Sequence, residues 1–271
     1  MPLQSITTEQ IAKKIQQSTY CVVLSGAGVS TAAGIPDFRG PHGIYITKQY
    51  DPEKTFDIGY FRSDPTHFYK FTWDFLSFRH TIRPSITHRT LAELEKRGKV
   101  KSVITQNIDG LHQQAGSEHV LEIHGSYGTA GCRNCEFQAH DLTSDWWLER
   151  MEQNEQHIAH CPECGGLLKP GIVFFGENVH GMWEAETHAK NADLMLVLGS
   201  SLTVYPAALL PQITTGDIVI VNQGSVQWSG NEQTFLLNAD LETVFRNLAH
   251  QLDMKVTDND ESNHSHQHFG P

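Results

Sequence analysis

At 271 residues the chain can bury a large core, and its 20 basic against 31 acidic side chains, a formal charge of −11, give the wrong sign for a general nucleic-acid binder while favouring basic peptides. No apolar run approaches the roughly 20 residues that cross a bilayer. The start Met1-Pro2-Leu3-Gln4-Ser5 has neither a charged head nor an apolar stretch, so a cytoplasmic protein without a membrane partner is expected.

In chain order, Thr8 to Gln16 predicts a helix, and the unbroken apolar run Tyr20 to Leu24 predicts a strand covered on both faces. Cys21, inside it, reads as a small core residue without chemistry. Directly after the strand stands Gly26-Ala27-Gly28-Val29-Ser30-Thr31-Ala32-Ala33-Gly34-Ile35-Pro36-Asp37-Phe38-Arg39-Gly40. Gly26 and Gly28 let a backbone approach a pyrophosphate, and the following residues can open a helix whose free amides face the anion. A strand-to-helix turn also uses glycine for structure alone, and both readings stand. Gly34 comes six residues after Gly28, not the three of the dinucleotide fingerprint, which argues against a hydride-transfer dehydrogenase.

Residues Pro41 to Arg83 are rich in aromatics and read as a loop followed by a helix from about Pro65, with most rings in a core. A helix from Thr87 to Arg97, stopped by Gly98, precedes a second buried strand, Val100 to Ile104. Gln106-Asn107-Ile108-Asp109 follows at the carboxyl end of that strand, where open α/β sheets bind ligands. Asn107 and Asp109 there can donate to and accept from a polar group such as an amide, or can cap the next helix. The segment Val120 to Ile123 leads to His124-Gly125. An imidazole at a strand end suits general-base work, and it equally suits a hydrogen-bonded histidine without a role in catalysis.

Cys132-x-x-Cys135 and Cys161-x-x-Cys164, 25 residues apart, have the paired-knuckle spacing of a structural zinc site with no open position for water. Beyond them, Val173 to Glu177 contains an apolar stretch that reads equally as a buried strand. A helix from Met182 to Asn191, strands at Leu194 to Leu198 and Ile218 to Val221, and a closing helix from Leu241 to Leu252 complete the alternation. The expected fold is a doubly wound parallel α/β sheet, Rossmann-like, with a smaller helical and zinc-ribbon domain. Residues 253–271 read as a disordered polar tail carrying His264, His266 and His268.

The glycine-rich phrase, Thr105-Gln106-Asn107-Ile108-Asp109-Gly110-Leu111-His112, His124-Gly125, the four cysteines, Phe175-Gly176-Glu177, Gly199-Ser200-Ser201 and Val221-Asn222 resemble, in order, the motifs of the sirtuins, NAD-dependent protein deacylases, over about residues 8 to 250. The resemblance implies a Rossmann-like core at about 1–40, 84–128 and 170–252, a helical insertion at 41–83 and a zinc module at 129–169. Insertion and module pack together, and the cleft between them and the core holds both substrates. It implies NAD binding by Gly26, Ala27, Gly28, Thr31, Phe38 and Arg39, with Ile108 and Asp109 at the nicotinamide carboxamide and Gln106 at the adjacent ribose. Gly199, Ser200, Ser201, Asn222 and Gln223 hold phosphates and the adenine-side ribose, and Asp240 and Leu241 meet adenine. Val173, Phe174, Phe175, Gly176 and Glu177 pair with an acetyl-lysine peptide by strand addition.

In the chemistry so implied, the acyl-lysine carbonyl oxygen displaces nicotinamide from the ribose, His124 activates a ribose hydroxyl, and Asn107 and Asp109 assist. The products are lysine and O-acyl-ADP-ribose, with NAD consumed and zinc purely structural. ADP-ribosyl transfer to protein is a second enzyme reading, and a zinc-ribbon module that only binds nucleotide is a third; His124 beside Asp109 favours an enzyme. Desuccinylating sirtuins carry a Tyr-x-x-Arg pair, because a buried acyl carboxylate needs a cation. Here Tyr69 is followed three residues later by Thr72, so neutral acyl groups are expected.

Overall fold

Unbroken apolar runs make the middle of a seven-stranded sheet. The computed structural model describes residues 3–37, 50–230 and 232–256. Strands β1 (Gln4–Ser5), β2 (Cys21–Ser25), β3 (Val100–Thr105), β4 (Val120–Glu122), β8 (Leu194–Leu198), β9 (Asp217–Val221) and β10 (Thr234–Leu237) lie in the order β1-β10-β9-β8-β2-β3-β4, every pairing parallel. Alternate residues serve opposite faces. Cys21 and Val23 join Ile11, Ile15, Leu91, Phe245 and Leu248, whereas Val22 and Leu24 join Ala185, Ala189, Leu202 and Leu210. Both faces are therefore covered, and this is why the central strands show no polar alternation. The chain steps from β2 through β3 to β4 on one side, then returns to β8 and moves outward on the other. The switch point, where such sheets bind ligands, lies between β2 and β8.

The helices flanking the sheet stand close to their expected places at Thr8–Gln17, Ile86–Lys96, Met182–Asn191 and Leu241–Gln251. β1 and β10 were not legible beforehand. They are two and four residues long, and each becomes a strand by pairing with a neighbour's edge, β10 on β9 and β1 on β10.

A second core is aromatic. Phe61, Phe68, Tyr69 and Leu76, from the helices Ile58–Ser63 and Thr66–Arg79, pack on Trp147, Met151, Leu168 and Phe174 from the cysteine-bearing segment and its exit. Phe68 meets Phe61 edge-on at 5.5 Å, a geometry that ring quadrupoles favour, and lies tilted against Phe174 at 4.8 Å. The Tyr69 hydroxyl donates to the Leu168 carbonyl at 2.8 Å, tying helix to module. The module's own sheet is antiparallel, in the order β6-β5-β7 (Gln138–Ala139, Ala130–Cys132, Leu168–Pro170). Phe38, Arg39 and the histidine tail from Asp258 onward lie outside the described residues. Among the described residues no helix is long and apolar enough to cross a membrane.

The chain leaves the large sheet through residues 124–129 and returns through 170–173, and these two connections run as a bonded pair. Gly171 N–H donates to Thr129 at 3.0 Å and Val173 N–H to His124 at 2.8 Å. Gly125 makes the approach possible: its φ is +66°, and a Cβ there would sit 1.8 Å from the Gly171 carbonyl oxygen. Gly125→Ala is expected to cost about 2 kcal/mol or more, from the left-handed backbone and the overlap together. A urea denaturation midpoint unchanged from wild type would refute that account of the connection.

Candidate active site

Three glycines at the switch point pack backbone on backbone. A Cβ on Gly26 would stand 2.8 Å from the Gly199 oxygen, one on Gly28 2.7 Å from Gly199 Cα, and one on Gly199 2.6 Å from the Gly28 carbonyl carbon. Gly26 and Gly28 donate to the carbonyls of Leu198 and Gly199, each at 2.9 Å. The expected helix does not form here. Two three-residue 3-10 turns, Ala27–Val29 and Thr31–Ala33, take its place, and the Val29 and Ser30 amides turn back onto Gly26 and Ala27. The turn thus spends four of its amides on the protein instead of lining them up toward an anion. Its glycines serve first to bring β2 and β8 together. Thr31 closes the turn, its hydroxyl donating to Gly28 at 3.0 Å.

Ser30, buried under the turn, connects it to the next loop. Its hydroxyl donates to Asp109 Oδ2 at 2.7 Å and accepts from Asn107 Nδ2 at 3.1 Å, while Nδ2 also donates to the Gly26 carbonyl at 3.1 Å. Asp109 Oδ1 accepts the Leu111 amide at 2.9 Å, so it caps the short helix Leu111–Gln114 as well as joining this cluster. Burial pushes the Asp109 carboxyl up from its ordinary value; the Leu111 amide, the Ser30 hydroxyl and the charge of Arg79 oppose that shift. Ile108 is half-buried and packs against the aromatic core. Gln106 reaches Ser200 Oγ at 3.1 Å, bringing in the loop after β8.

His124 completes the network. Its Nδ1 lies 2.9 Å from the Gln106 carbonyl, which can only accept, so the hydrogen sits on Nδ1 and Nε2 is left as the basic nitrogen. Burial lowers its pKa, and the bond to Gln106 opposes that in part. The residues Gly26 to Ser30, Gln106 to Asp109, His124, Gly199 and Ser200 therefore form one hydrogen-bonded unit.

The remaining expected site residues lie around this unit, and Val173 is bonded to it directly. Ser201 Oγ pairs with Thr203 Oγ1 at 3.0 Å. Asn222 is buried at the end of β9, with Gln223 exposed beside it. Asp240 is the N-cap of the last helix, accepting from the Thr243 amide and hydroxyl at 2.8 Å each, and Leu241 is buried in the main core. In the 173–177 segment, Val173 is tied to His124 and Phe174 turns its ring into the aromatic core. The Glu177 carboxylate accepts the Phe174 amide at 3.0 Å and pairs with Lys169 at 2.9 Å, whereas Phe175 is half exposed. Gly176 follows it at φ +93°. One edge of the segment is already occupied, since Phe175 exchanges backbone bonds with Phe56 and Ile58.

Two residues of the network went unread in the sequence. Ser30 stands inside the glycine phrase, and its hydroxyl on a tight turn was the available signal. Arg79 gave none: it lies 30 residues before Asp109, yet its Nε–H donates to the Asp109 carbonyl at 3.0 Å.

The four cysteines converge. Their sulfurs all lie within 4.8 Å of one another, with Cys132 to Cys164 at 3.5 Å and Cys135 to Cys161 at 3.7 Å. A tetrahedral zinc with bonds of about 2.3 Å spaces its sulfurs by about 3.8 Å. The amides of Asn134 and Gly166 approach Cys132 and Cys164 at 3.3 and 3.4 Å, as thiolate-bearing knuckles require. The residues fit zinc, and four protein ligands leave no place for a reacting water.

A profile of the Sir2 family matches residues 26–206. The chain is 44% identical over 217 residues to an NAD-dependent protein deacetylase of Sulfolobus acidocaldarius, covering 79% of this chain and 83% of that one. It is 45% identical over 215 residues to the enzyme of the same description from Thermotoga maritima, covering 78% and 84%. Among solved structures, a Sir2 variant with deacetylated p53 peptide and 3'-O-acetyl ADP ribose superposes with a TM-score of 0.83 at 38% identity, over 92% of this chain and 100% of that one. A Sir2–p53 peptide–NAD+ complex gives 0.81 at 37%, over 92% and 99%.

Elemental analysis of the purified protein is expected to give about one zinc per chain, as a closed four-thiolate site stays filled. Cys132→Ala is expected to lose the metal together with the near-ultraviolet dichroism of the aromatic core. Zinc-free protein with that signal intact would show the module to be independent of metal.

Proposed function

The chain belongs to the Sir2 family, and we propose that it is an NAD-dependent protein-lysine deacetylase, transferring the acetyl group of acetyl-lysine to ADP-ribose with release of nicotinamide and O-acetyl-ADP-ribose. The observation that carries this reading is His124, held as a neutral base by Gln106 in the same bonded unit as Asn107 and Asp109. The description of its relatives as NAD-dependent protein deacetylases and the peptide and NAD+ in the neighbouring structures supply the substrates.

On this reading Asp109 and Ile108 face the nicotinamide carboxamide. Asn107 has both amide hydrogens committed, to Gly26 and Ser30, and so holds the phosphate-side turn against the nicotinamide loop. Gln106 aligns His124 through its carbonyl and steadies Ser200 through its amide, linking the two halves of the nucleotide site. His124 Nε2 takes the proton of a ribose hydroxyl, whose oxygen then attacks the acyl carbon. Val173, tied to His124, and the exposed ring of Phe175 border the acyl-lysine, and the peptide main chain adds alongside them. Residues 1–40, 84–128 and 170–252 carry NAD, while 41–83 and 129–169 form the small domain. The free, unbridged cysteines support a cytoplasmic location.

His124→Ala is expected to lower kcat/KM on an acetylated peptide by about a hundredfold to ten-thousandfold, with NAD binding kept. In the wild type, the base works only when unprotonated, and burial lowers its pKa. Activity should therefore persist above that pKa and fall as the pH drops through it, with the acid limb of kcat/KM below 6.5. A limb above 6.5, or near-normal turnover by His124→Ala, would assign the base elsewhere.

The small domain also bears on acyl choice. Tyr69 is buried with its hydroxyl on Leu168, Thr72 shares a hydrogen bond with Tyr127 at 3.0 Å, and Lys70 is exposed. The helix's remaining cation, Arg79, is engaged with Asp109 and Ser144. An acyl carboxylate finds no fixed partner among them, and leaving it unpaired costs at least about 1.4 kcal/mol. Acetyl-lysine is expected to exceed succinyl-lysine by at least about tenfold in kcat/KM on one peptide. Equal values would contradict the preference for neutral acyl groups.

A further inference from the structure

Arg79, the last residue of the helix Thr66–Arg79, touches two segments far apart in sequence. Its Nε–H donates to the Asp109 carbonyl at 3.0 Å, and its Nη1–H donates to Ser144 Oγ at 3.0 Å. Ser144 opens the helix Ser144–Met151 of the cysteine module. Nη2 lies over Gly110, so close that a Cβ there would come within 2.6 Å of it. A planar, permanently charged fork thus spans the module and the turn that carries Asp109. Lysine has one donor centre and no such fork.

We propose that Arg79 is a positioning residue through which the cysteine module sets the Asp109–Gly110 turn, and with it the enzyme's grip on nicotinamide. This rests on Asp109 facing the nicotinamide carboxamide, as in the function proposed above. Asp109 is held from two sides. Ser30, on the large sheet, fixes its carboxylate at 2.7 Å, and Arg79, on the small domain, fixes its main chain. A shift of one body against the other therefore moves the carboxylate relative to its own backbone anchor. The charge of Arg79 also acts on Asp109 in the direction that keeps it ionised, against the cost of burial. The affinity of the site for nicotinamide, both as leaving group and as returning inhibitor, then depends on how the small domain is docked.

The test compares Arg79→Gln, Arg79→Lys, Ser144→Ala and Asp109→Asn. For each, the nicotinamide inhibition constant, KM for NAD, KM for an acetylated peptide, Tm and zinc content are measured. Arg79→Gln is expected to weaken nicotinamide inhibition and raise KM for NAD by about fivefold or more, the scale of one lost hydrogen bond to a charged donor. Zinc content should stay whole and KM for the peptide should change by less than about twofold, within the scatter of surface substitutions. Arg79→Lys should fail to restore the constants. Ser144→Ala should move them in the same direction by a smaller factor and add nothing on top of Arg79→Gln, because both act through one contact. If Arg79→Gln lowers Tm but leaves nicotinamide inhibition at the wild-type value while Asp109→Asn changes it, Arg79 is structural and the proposal is overturned alone. If neither changes it, the role given to Asp109 falls as well. Should Arg79→Gln fail to fold, unchanged nicotinamide inhibition in Ser144→Ala overturns the proposal.

Discussion

The contact between the Gly26–Gly28 turn and Gly199 is the constraint on which the site depends. Two loops leave the carboxyl ends of adjacent strands, β2 and β8, and meet with no side chain between them. Only that closeness puts Ser30 beneath the loop after β3, where its hydroxyl can serve Asn107 and Asp109 at once. The glycine turn, the Gln106–Asp109 loop and the loop after β8 are then one object. A side chain at any of the three glycines would move the loops apart, and the hydrogen bonds that cross between them would be lost together. This also explains why the turn folds into short 3-10 segments. Its amides are needed to clasp the neighbouring loop, and an α-helix would direct them along its own axis.

Burial acts in opposite directions on the two titratable groups of the crevice. It disfavours the charged form of each, lifting the Asp109 carboxyl and depressing the His124 imidazolium. At His124 that is useful, because a base must be neutral before it can accept a proton. At Asp109 it works against an acceptor carboxylate, and the structure answers with a hydroxyl, an amide and a nearby guanidinium. The fold spends most of its local polar groups on the carboxylate and a single carbonyl on the imidazole, as the opposite tasks require.

Much of this was legible in the chain, for identifiable reasons. Strands buried on both faces leave unbroken apolar runs, and Cys21–Ser25 and Leu194–Leu198 were found on that signal alone. The paired cysteines announce themselves because metal geometry fixes their spacing. His124 is different: sixteen histidines made it one among many, and family resemblance supplied what local chemistry did not. Ser30 and Arg79 escaped because their meaning lies in partners 79 and 30 residues away. For Gly26 and Gly28 both readings stay open in the sequence for a related reason, since a glycine that admits a ligand and a glycine that admits another backbone look the same until the second backbone is in place. Residues such as Phe174 and Glu177, carried over as substrate contacts from a shared motif, turn out to brace the segment from inside.

The two-body construction explains why a structural metal belongs in an enzyme whose chemistry never uses it. His124, the turn bearing Asp109 and the 173–177 segment all lie where the small domain meets the large sheet. His124 starts one of the two connections and Val173 ends the other, with a backbone bond joining them. The 173–177 segment therefore holds His124 in register. The aromatic core gives that segment a rigid backing through Phe174, and the cysteine cluster keeps that core folded in a module too small to be stable on burial alone. A metal held by the four cysteines would act at a distance, by keeping the backing of the Val173–His124 connection in one shape.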